Sequence, residues 1–385
     1  MSNFKKSTLK GAALGVALGT AAVLYRDSQN RKDPLNSPSQ RRINKALDRT
    51  LQIVRREKRI KLNENSRYII FSDHHKGAGD EADDFNPCKK TYLAALDHYY
   101  RDGSTLVLLG DVEELWENQI LEVMETHKDV FHSEARFFPD RYIRIVGNHD
   151  DAWNNKDAVA KYLEPLFPKI QLLPGLVLEF ENDALYGEVF MAHGHQGTLE
   201  SDVLASFSSR FLRIYRQLQN KFHIGHTTPA TDDYLRGEHD TQLYNWASQK
   251  RNLILIAGHT HRPVWSSLTH LDQLYMKLYA LRLQKREKDE EKNGENDEKY
   301  QKEYQEQYEN LLREIKKRIL KDPPVNDTLK TTPAYFNTGC CRFSDGDITG
   351  IEITGRHIRL VKWDGVTLNR SEHISMPLAE LFALL

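Results

Sequence analysis

The sequence predicts an α/β fold, and three observations carry that prediction. Five short β-branched or apolar runs recur along the chain: Tyr68 to Phe71, Thr105 to Leu109, Tyr142 to Val146, Val189 to Ala192 and Leu253 to Ala257. Segments long enough for helices separate them, which is the pattern of strands buried on both faces. Each run ends in a cluster of Gly, Asp, Asn or His, and in open α/β sheets ligands gather at the carboxyl ends of the strands.

Composition narrows the class. The chain has 385 residues, which suits one catalytic domain with insertions or about two to three units. Hydrophobic residues make up 39% and charged residues 28%, which excludes a wholly disordered chain. A mean hydropathy of −0.64 excludes a protein that crosses a membrane many times. Lys and Arg number 54 against 55 Asp and Glu, a net charge of −1, so the charge balance weighs against nucleic acid as a partner. Cys88, Cys340 and Cys341 are too few for a disulfide framework, and a reducing compartment is the simpler expectation.

The elements follow in order. Lys5, Lys6 and Lys10 precede an apolar run from Gly11 to Tyr25, which Arg26 ends. As a helix this run rises only ~22 Å, short of a hydrocarbon layer of about 30 Å. Residues 1–30 therefore read either as a membrane anchor or as an ordinary N-terminal helix, with a cytoplasmic or membrane-surface location to match. Residues 31–61 read as linker and helix: Pro34, Asn36, Ser37 and Pro38 have linker composition, and Ser39 stands where it would cap a charged helix from Gln40 to Lys58. The main domain is expected over residues 62–375, with two insertions. In residues 196–251, Leu204, Phe207, Phe211, Tyr215 and Leu218 repeat at helical spacing, as in a lid over the strand ends. Residues 264–332 are densely charged between Leu281 and Asn310, with Gly294 near the middle, and read as a solvated helical hairpin or a partly disordered spacer. Ala334 to Phe336 then gives a further strand, and Ile348 to Trp363, centred on Gly355 and Arg356, a hairpin; residues 376–385 read as a tail.

The chemistry lies in five polar clusters at the strand ends: Asp73-His74-His75, Gly110-Asp111, Gly147-Asn148-His149-Asp150, His193-Gly194-His195 and Gly258-His259-Thr260-His261. One histidine at such a place is usually a satisfied structural residue; five clusters at consecutive strand ends invert that expectation. Asp73, His75, Asp111, Asn148, His193, His259 and His261 offer seven donors, too many for one divalent ion with open positions. Two ions sharing a carboxylate fit better, and Asp111 is the natural shared residue. Carboxylate, carboxamide and imidazole together suit Mn, Fe or Zn, with Mn the first expectation. Such a pair lowers the pKa of a shared water and neutralises phosphate oxygens, which suits phosphoester hydrolysis by a metal-bridged hydroxide.

This ordered set resembles the calcineurin-like metallophosphoesterase superfamily over roughly residues 66 to 265, with Asn337-Thr338-Gly339. The resemblance implies a four-layer sandwich of two mixed sheets flanked by helices. It also implies Asp73, His75, Asp111 and His261 around one metal, and Asp111, Asn148, His193 and His259 around the other. His149 matches the family histidine near the leaving group, and Glu114 occupies the place of the carboxylate that orients it. His74 and His195 are expected to contact ligand residues or substrate, and Asp150 and Asp151 either to orient ligands or, as the plainer expectation, to cap the helix that follows.

Gly110 to Trp116 and Gly258 to Pro263 resemble the branch that cleaves UDP-2,3-diacylglucosamine, a nucleotide-lipid diphosphate, at a membrane surface. Arg210, Arg213, Arg216 and Lys221 in the lid would then meet phosphate and acyl chain, or else form a solvated face. That branch usually carries Arg where this chain has His149, which changes both charge and proton-transfer capacity. A phosphorylated small molecule or lipid-linked diphosphate is the leading substrate class. Phosphomonoesters and phosphoproteins stay open, as does a catalytically silent binding scaffold, although all seven donors and His149 are present.

Overall fold

In the structure, a computed structural model, the residues described are 37–80, 83–182, 185–198, 233–265, 268–269, 298–321 and 332–385, with isolated positions between 274 and 285. The expected segment 1–30, the lid residues 204–218 with Arg210, Arg213, Arg216 and Lys221 beside them, and the turn at Gly294 lie outside them.

Two sheets of seven strands each form the body. The first contains β2 (Arg67–Phe71), β3 (Thr105–Leu109), β4 (Tyr142–Ile145), β5 (Leu172–Leu173), β12 (Ile348–Thr354), β13 (His357–Trp363) and β14 (Arg370–Pro377), in the order β14-β13-β12-β2-β3-β4-β5. Strands β2 to β5 pair in parallel, and β12 to β14 extend the sheet antiparallel. The second contains β1 (Arg59–Lys61), β6 (Leu176–Glu181), β7 (Tyr186–Met191), β8 (Leu253–Ala257), β9 (Pro263–Trp265), β10 (Leu268–Thr269) and β11 (Tyr335–Thr338), in the order β1-β6-β7-β8-β11-β9-β10. The five sequence-predicted runs are thus β2, β3, β4, β7 and β8. The predicted hairpin turns at Gly355 and Arg356, whose φ values of 55° and 61° are those a two-residue turn between twisted strands requires.

The pleat sorts side chains into layers. Ile69 and Phe71 of β2 and Leu106 and Leu108 of β3 pack with Tyr92, Ala95 and Leu96 of α2 (Lys89–Arg101). Beyond α3 (Ile120–Thr126), α4 (Lys128–Ala135) adds Val130 and Phe131 to the same cluster. The alternate residues Ile70, Val107 and Leu109 face the second sheet and meet Leu178, Val189, Met191, Ile254 and Ile256. The far side of that sheet, through Val177, Phe190 and Leu255, is covered by α1 (Pro38–Glu57) and α5 (Asp233–Ala247). Helix, sheet, sheet, helix is the four-layer arrangement the resemblance implied.

Three boundaries differ from the sequence reading. Helix α1 is capped by Ser37, not Ser39: Ser37 Oγ accepts from Gln40 N at 3.1 Å, and Pro38, which has no N–H to leave unmet, opens the first turn. Ile43, Leu47, Leu51 and Val54 bury one face of this helix, and β1 pairs with β6, so the packed body begins ahead of Leu62. The tail expected over residues 376–385 instead forms α7 (Leu378–Ala383), because Leu378, Leu381 and Phe382 make an apolar stripe that seals the core between the sheets. Within the charged insertion the described residues form β9, β10 and α6 (Glu298–Lys321).

Candidate metal centre

The turns after β2, β3, β4, β7 and β8 converge where the two sheets meet, and backbone bonds lace them together. Asp73 N donates to Gly110 O at 3.1 Å, His75 N to Asp111 O at 3.0 Å, Leu115 N to His149 O at 3.1 Å and Gly258 N to His193 O at 2.9 Å. Five of these donor residues sit in left-handed backbone: Asp73, His75, Asp111, His259 and His261, with φ between 50° and 68°. Non-glycine residues adopt this region at a cost, and its concentration here marks a site whose geometry the surrounding fold imposes. Two glycines are required by close approach. A Cβ on Gly147 would lie 2.2 Å from Asp111 Oδ1, and one on Gly258 would lie 2.4 Å from Asp73 Oδ2.

The ligating atoms of Asp73, His75 and His261 lie within 4.8 Å of one another, as do those of Asp111, His193 and His259, and those of His75, Asp111 and His149. Asp111 Oδ2 is 3.8 Å from His75 Nε2 and 3.0 Å from His193 Nε2, so it faces both groups. His261 Nε2 is 3.2 Å from Asp73 Oδ1 and 3.2 Å from His75 Nε2. Asn148 is buried beside Asp111, whose Oδ1 accepts the neighbouring His149 N at 2.9 Å. All seven expected donors are therefore brought to one end of the fold.

Their surroundings fix their direction. Glu114 Oε2 takes Nδ1 of both His75, at 2.9 Å, and His149, at 2.6 Å, and Trp116 stacks on the His149 ring at 3.8 Å. His193 Nδ1 donates to Leu109 O at 2.8 Å, which turns Nε2 toward Asp111. Asp73 is held by Ser72 Oγ and accepts His259 N at 3.0 Å on both oxygens. Charge follows from this packing. Burial opposes ionisation of Glu114, but His149 and His75 hold it well below the carboxylate range. Burial and the neighbouring His149 push His75 down to about 4. Burial would lower His193 too, yet Asp111 and Asp73 raise it to about 9.

Two expectations are corrected. His74 points away from the donors into a cage of Phe71, Phe85 and Tyr92, with its ring 4.6 Å from that of Tyr92; it lies in the turn after β2, between Asp73 and His75, whose backbones are left-handed. Burial keeps this imidazole well below its ordinary range. Asp150 does not cap the next helix. Its Oδ1 accepts Gly147 N at 2.7 Å and its Oδ2 accepts Val112 N at 3.2 Å, which clamps the turns after β3 and β4 to each other. His195 stands beside His193 and His259, with ring separations of 5.4 and 6.5 Å.

The sequence reading missed what lies behind the donors. Lys76 Nζ pairs with Glu134 at 2.8 Å and Glu113 at 3.4 Å; Glu113 also binds Arg144 and accepts Trp153 Nε1 at 2.9 Å. All of these side chains are buried. On the other side α5 contributes His239, whose Nε2 lies 2.8 Å from Gly194 O, and Asp240, which accepts Thr260 Oγ1 at 2.8 Å and Tyr335 OH at 2.7 Å. Glu134, Arg144, His239 and Asp240 lie outside the strand-end clusters, and Lys76 and Glu113, which adjoin them, find their partners far away in sequence.

The donor set fits divalent cations. Asn148 Oδ1 and both ring nitrogens of His259 are buried with no hydrogen-bond partner, a costly condition that a cation relieves. Carboxylate, carboxamide and imidazole are the ligand types for Mn, Fe or Zn.

The calcineurin-like phosphoesterase family matches residues 66–263, just over half of the chain. The chain belongs to that family, and it is a metal-dependent hydrolase of phosphoric esters. Among curated proteins, none matches it. Two solved structures are similar in outline. One is a conserved protein from Streptococcus pneumoniae TIGR4 described as a predicted phosphoesterase, 11% identical, with 81% of this chain and 98% of that one covered and a TM-score of 0.27. The other is vacuolar protein sorting 29 from Cryptosporidium parvum, 12% identical, with 82% and 100% covered and a TM-score of 0.31. Likenesses that low add nothing on function, so the family match and the donor set carry the assignment. No helix among the described residues is long and apolar enough to cross a membrane.

Proposed function

We propose that the chain hydrolyses a phosphoester or diphosphate bond at two divalent ions, most readily Mn. Asp73, His75, Asp111 and His261 would hold one ion and Asp111, Asn148, His193 and His259 the other. The observation that carries this reading is Asp111 Oδ2, which faces His75 Nε2 and His193 Nε2 from between the two groups of donors. When bound, such a pair supplies Lewis acidity, neutralising phosphate oxygens and acidifying water for in-line attack.

The side chains do the rest. Glu114, ionised through its imidazole neighbours, holds His149 by Nδ1 and so fixes which ring nitrogen carries the transferable proton. His149 Nε2 then donates to the departing oxygen, and Trp116, stacked on the ring, keeps it in plane for that transfer. The clamp from Asp150 holds Asp111 and His149 in register.

A nucleotide-lipid diphosphate is the leading substrate, supported by the likeness of Gly110 to Trp116 and Gly258 to Pro263 to that branch. Purified, Mn-loaded protein should be offered a phosphomonoester, a phosphodiester, a nucleotide-lipid diphosphate and a phosphopeptide, with products identified. Release of UMP from a UDP-sugar lipid is the expected result. Turnover of the phosphopeptide alone would replace this substrate class with phosphoproteins.

A further inference from the structure

A cavity of about 770 Å³ adjoins the donor cluster, between the segment that follows β4 and strand β5. Asn148, His195 and Gln196 line the side next to the donors. Val146, Val159, Ile170, Leu172, Leu173 and Pro174 form the wall beyond, and Trp116 and Trp153 border it. The volume is that of a site for a drug-sized ligand, with a few polar groups at one end and aliphatic surface over the rest. A phosphoryl group alone is too compact to need such space.

Charge narrows the occupant. Lys156 is the one cation among the described residues that line the cavity, and Asp151 and Glu164 outnumber it there, so those described residues offer no surplus positive charge for a second phosphate. What it offers is apolar surface continuous with the donors through Asn148 and His195. Resting on the phosphoesterase reading above, we propose that this cavity receives the apolar organic group of the substrate, an alkyl or aryl chain joined to the phosphoryl group at the donors.

The test uses the full chain and a homologous series of butyl, octyl and dodecyl phosphate, each below its aggregation concentration. Affinity is read from tryptophan fluorescence, to which Trp116 and Trp153 contribute from the cavity edge, with metal-free and with Mn-loaded protein. Hydrolysis of the same esters is followed in parallel. Affinity should rise about three- to fourfold per added methylene until the wall is covered. Val159→Trp, which fills the space, and Leu172→Asn, which wets the wall, should each flatten that series while melting as cooperatively as the unsubstituted protein. Equal affinity for butyl and dodecyl phosphate, or a series that both variants leave untouched, would overturn the subsite even if every ester is hydrolysed. Chain-length-dependent binding with no turnover of any phosphoester would instead keep the subsite and sink the reaction.

Discussion

The two halves of the donor cluster are built differently. In the half formed by Asp73, His75 and His261, orientation comes from hydrogen bonds to the carboxylate and one imidazole: Glu114 holds His75 by Nδ1, and Ser72 Oγ and the backbone N of His259 hold Asp73. In the half formed by Asp111, Asn148, His193 and His259, it comes from backbone and from packing. His193 leans on Leu109 O, while Asn148 Oδ1 and both ring nitrogens of His259 have no hydrogen-bond partner, and the His259 ring is confined by the rings of His193 and His239, at 5.3 and 5.2 Å. The first half is organised before any ion arrives. The second contains the buried polar atoms that gain most from one. Asp111 ties the two together and is the residue through which the difference can be measured.

The largest effect is therefore expected at that residue. Asp111→Ala should abolish turnover and weaken both ions, since each half loses a ligand and His193 its partner. Metal content by elemental analysis, with activity at limiting Mn, checks this, and full activity there would remove Asp111 from the shared position. Next comes His149→Ala, which removes none of the seven proposed ligands and keeps the backbone N that Asp111 Oδ1 accepts. Bound metal should persist while turnover falls about 10²- to 10⁴-fold, the range for loss of a general acid, most steeply for esters with poor leaving groups. Equal slowing across a series of leaving-group pKa values would argue against proton donation.

Glu114→Gln sharpens the contrast, because one carboxylate serves both His75 and His149. The amide keeps the shape and loses the charge, so a drop of about 10- to 100-fold in affinity is expected for the ion of the first half alone, with turnover falling further. Stepwise Mn titration should show one weakened and one unaltered site. Two equally weakened sites would mean that the halves are not organised independently.

How much of this was legible depended on whether a residue's role is written locally. The strands β2, β3, β4, β7 and β8 are short buried runs, and the candidate donors stand at their ends in consecutive letters, so the residues that converge there could be named without coordinates. Glu114 was found because it sits three residues after Asp111. The residues that escaped act through partners far away in sequence. Glu134 reaches Lys76 across 58 positions, and Asp240 reaches Tyr335 across 95. Asp150 looked like a helix cap because Asp usually is one before a helix, yet its two oxygens are taken by backbone on separate turns. Leu378, Leu381 and Phe382 are too few to signal a helix by period alone, and the core between the sheets decides for them.

The smallest effect is expected at His74, a residue flanked on both sides by donors and belonging to neither half. Its ring nitrogens have no hydrogen-bond partner in a cage of aromatic side chains, and its position in the sequence is the only feature that suggests a role at the centre. His74→Phe removes an unmet polar group and adds volume; the first change stabilises and the second costs, so the unfolding free energy should stay within about 2 kcal/mol of the unsubstituted protein. Bound metal and kcat/KM should be unchanged, because the ring is directed into the cluster that packs helix α2 on its sheet. A variant that folds with the same cooperativity but loses an ion would show that this imidazole reaches the centre, and the division into two halves would have to be redrawn around it.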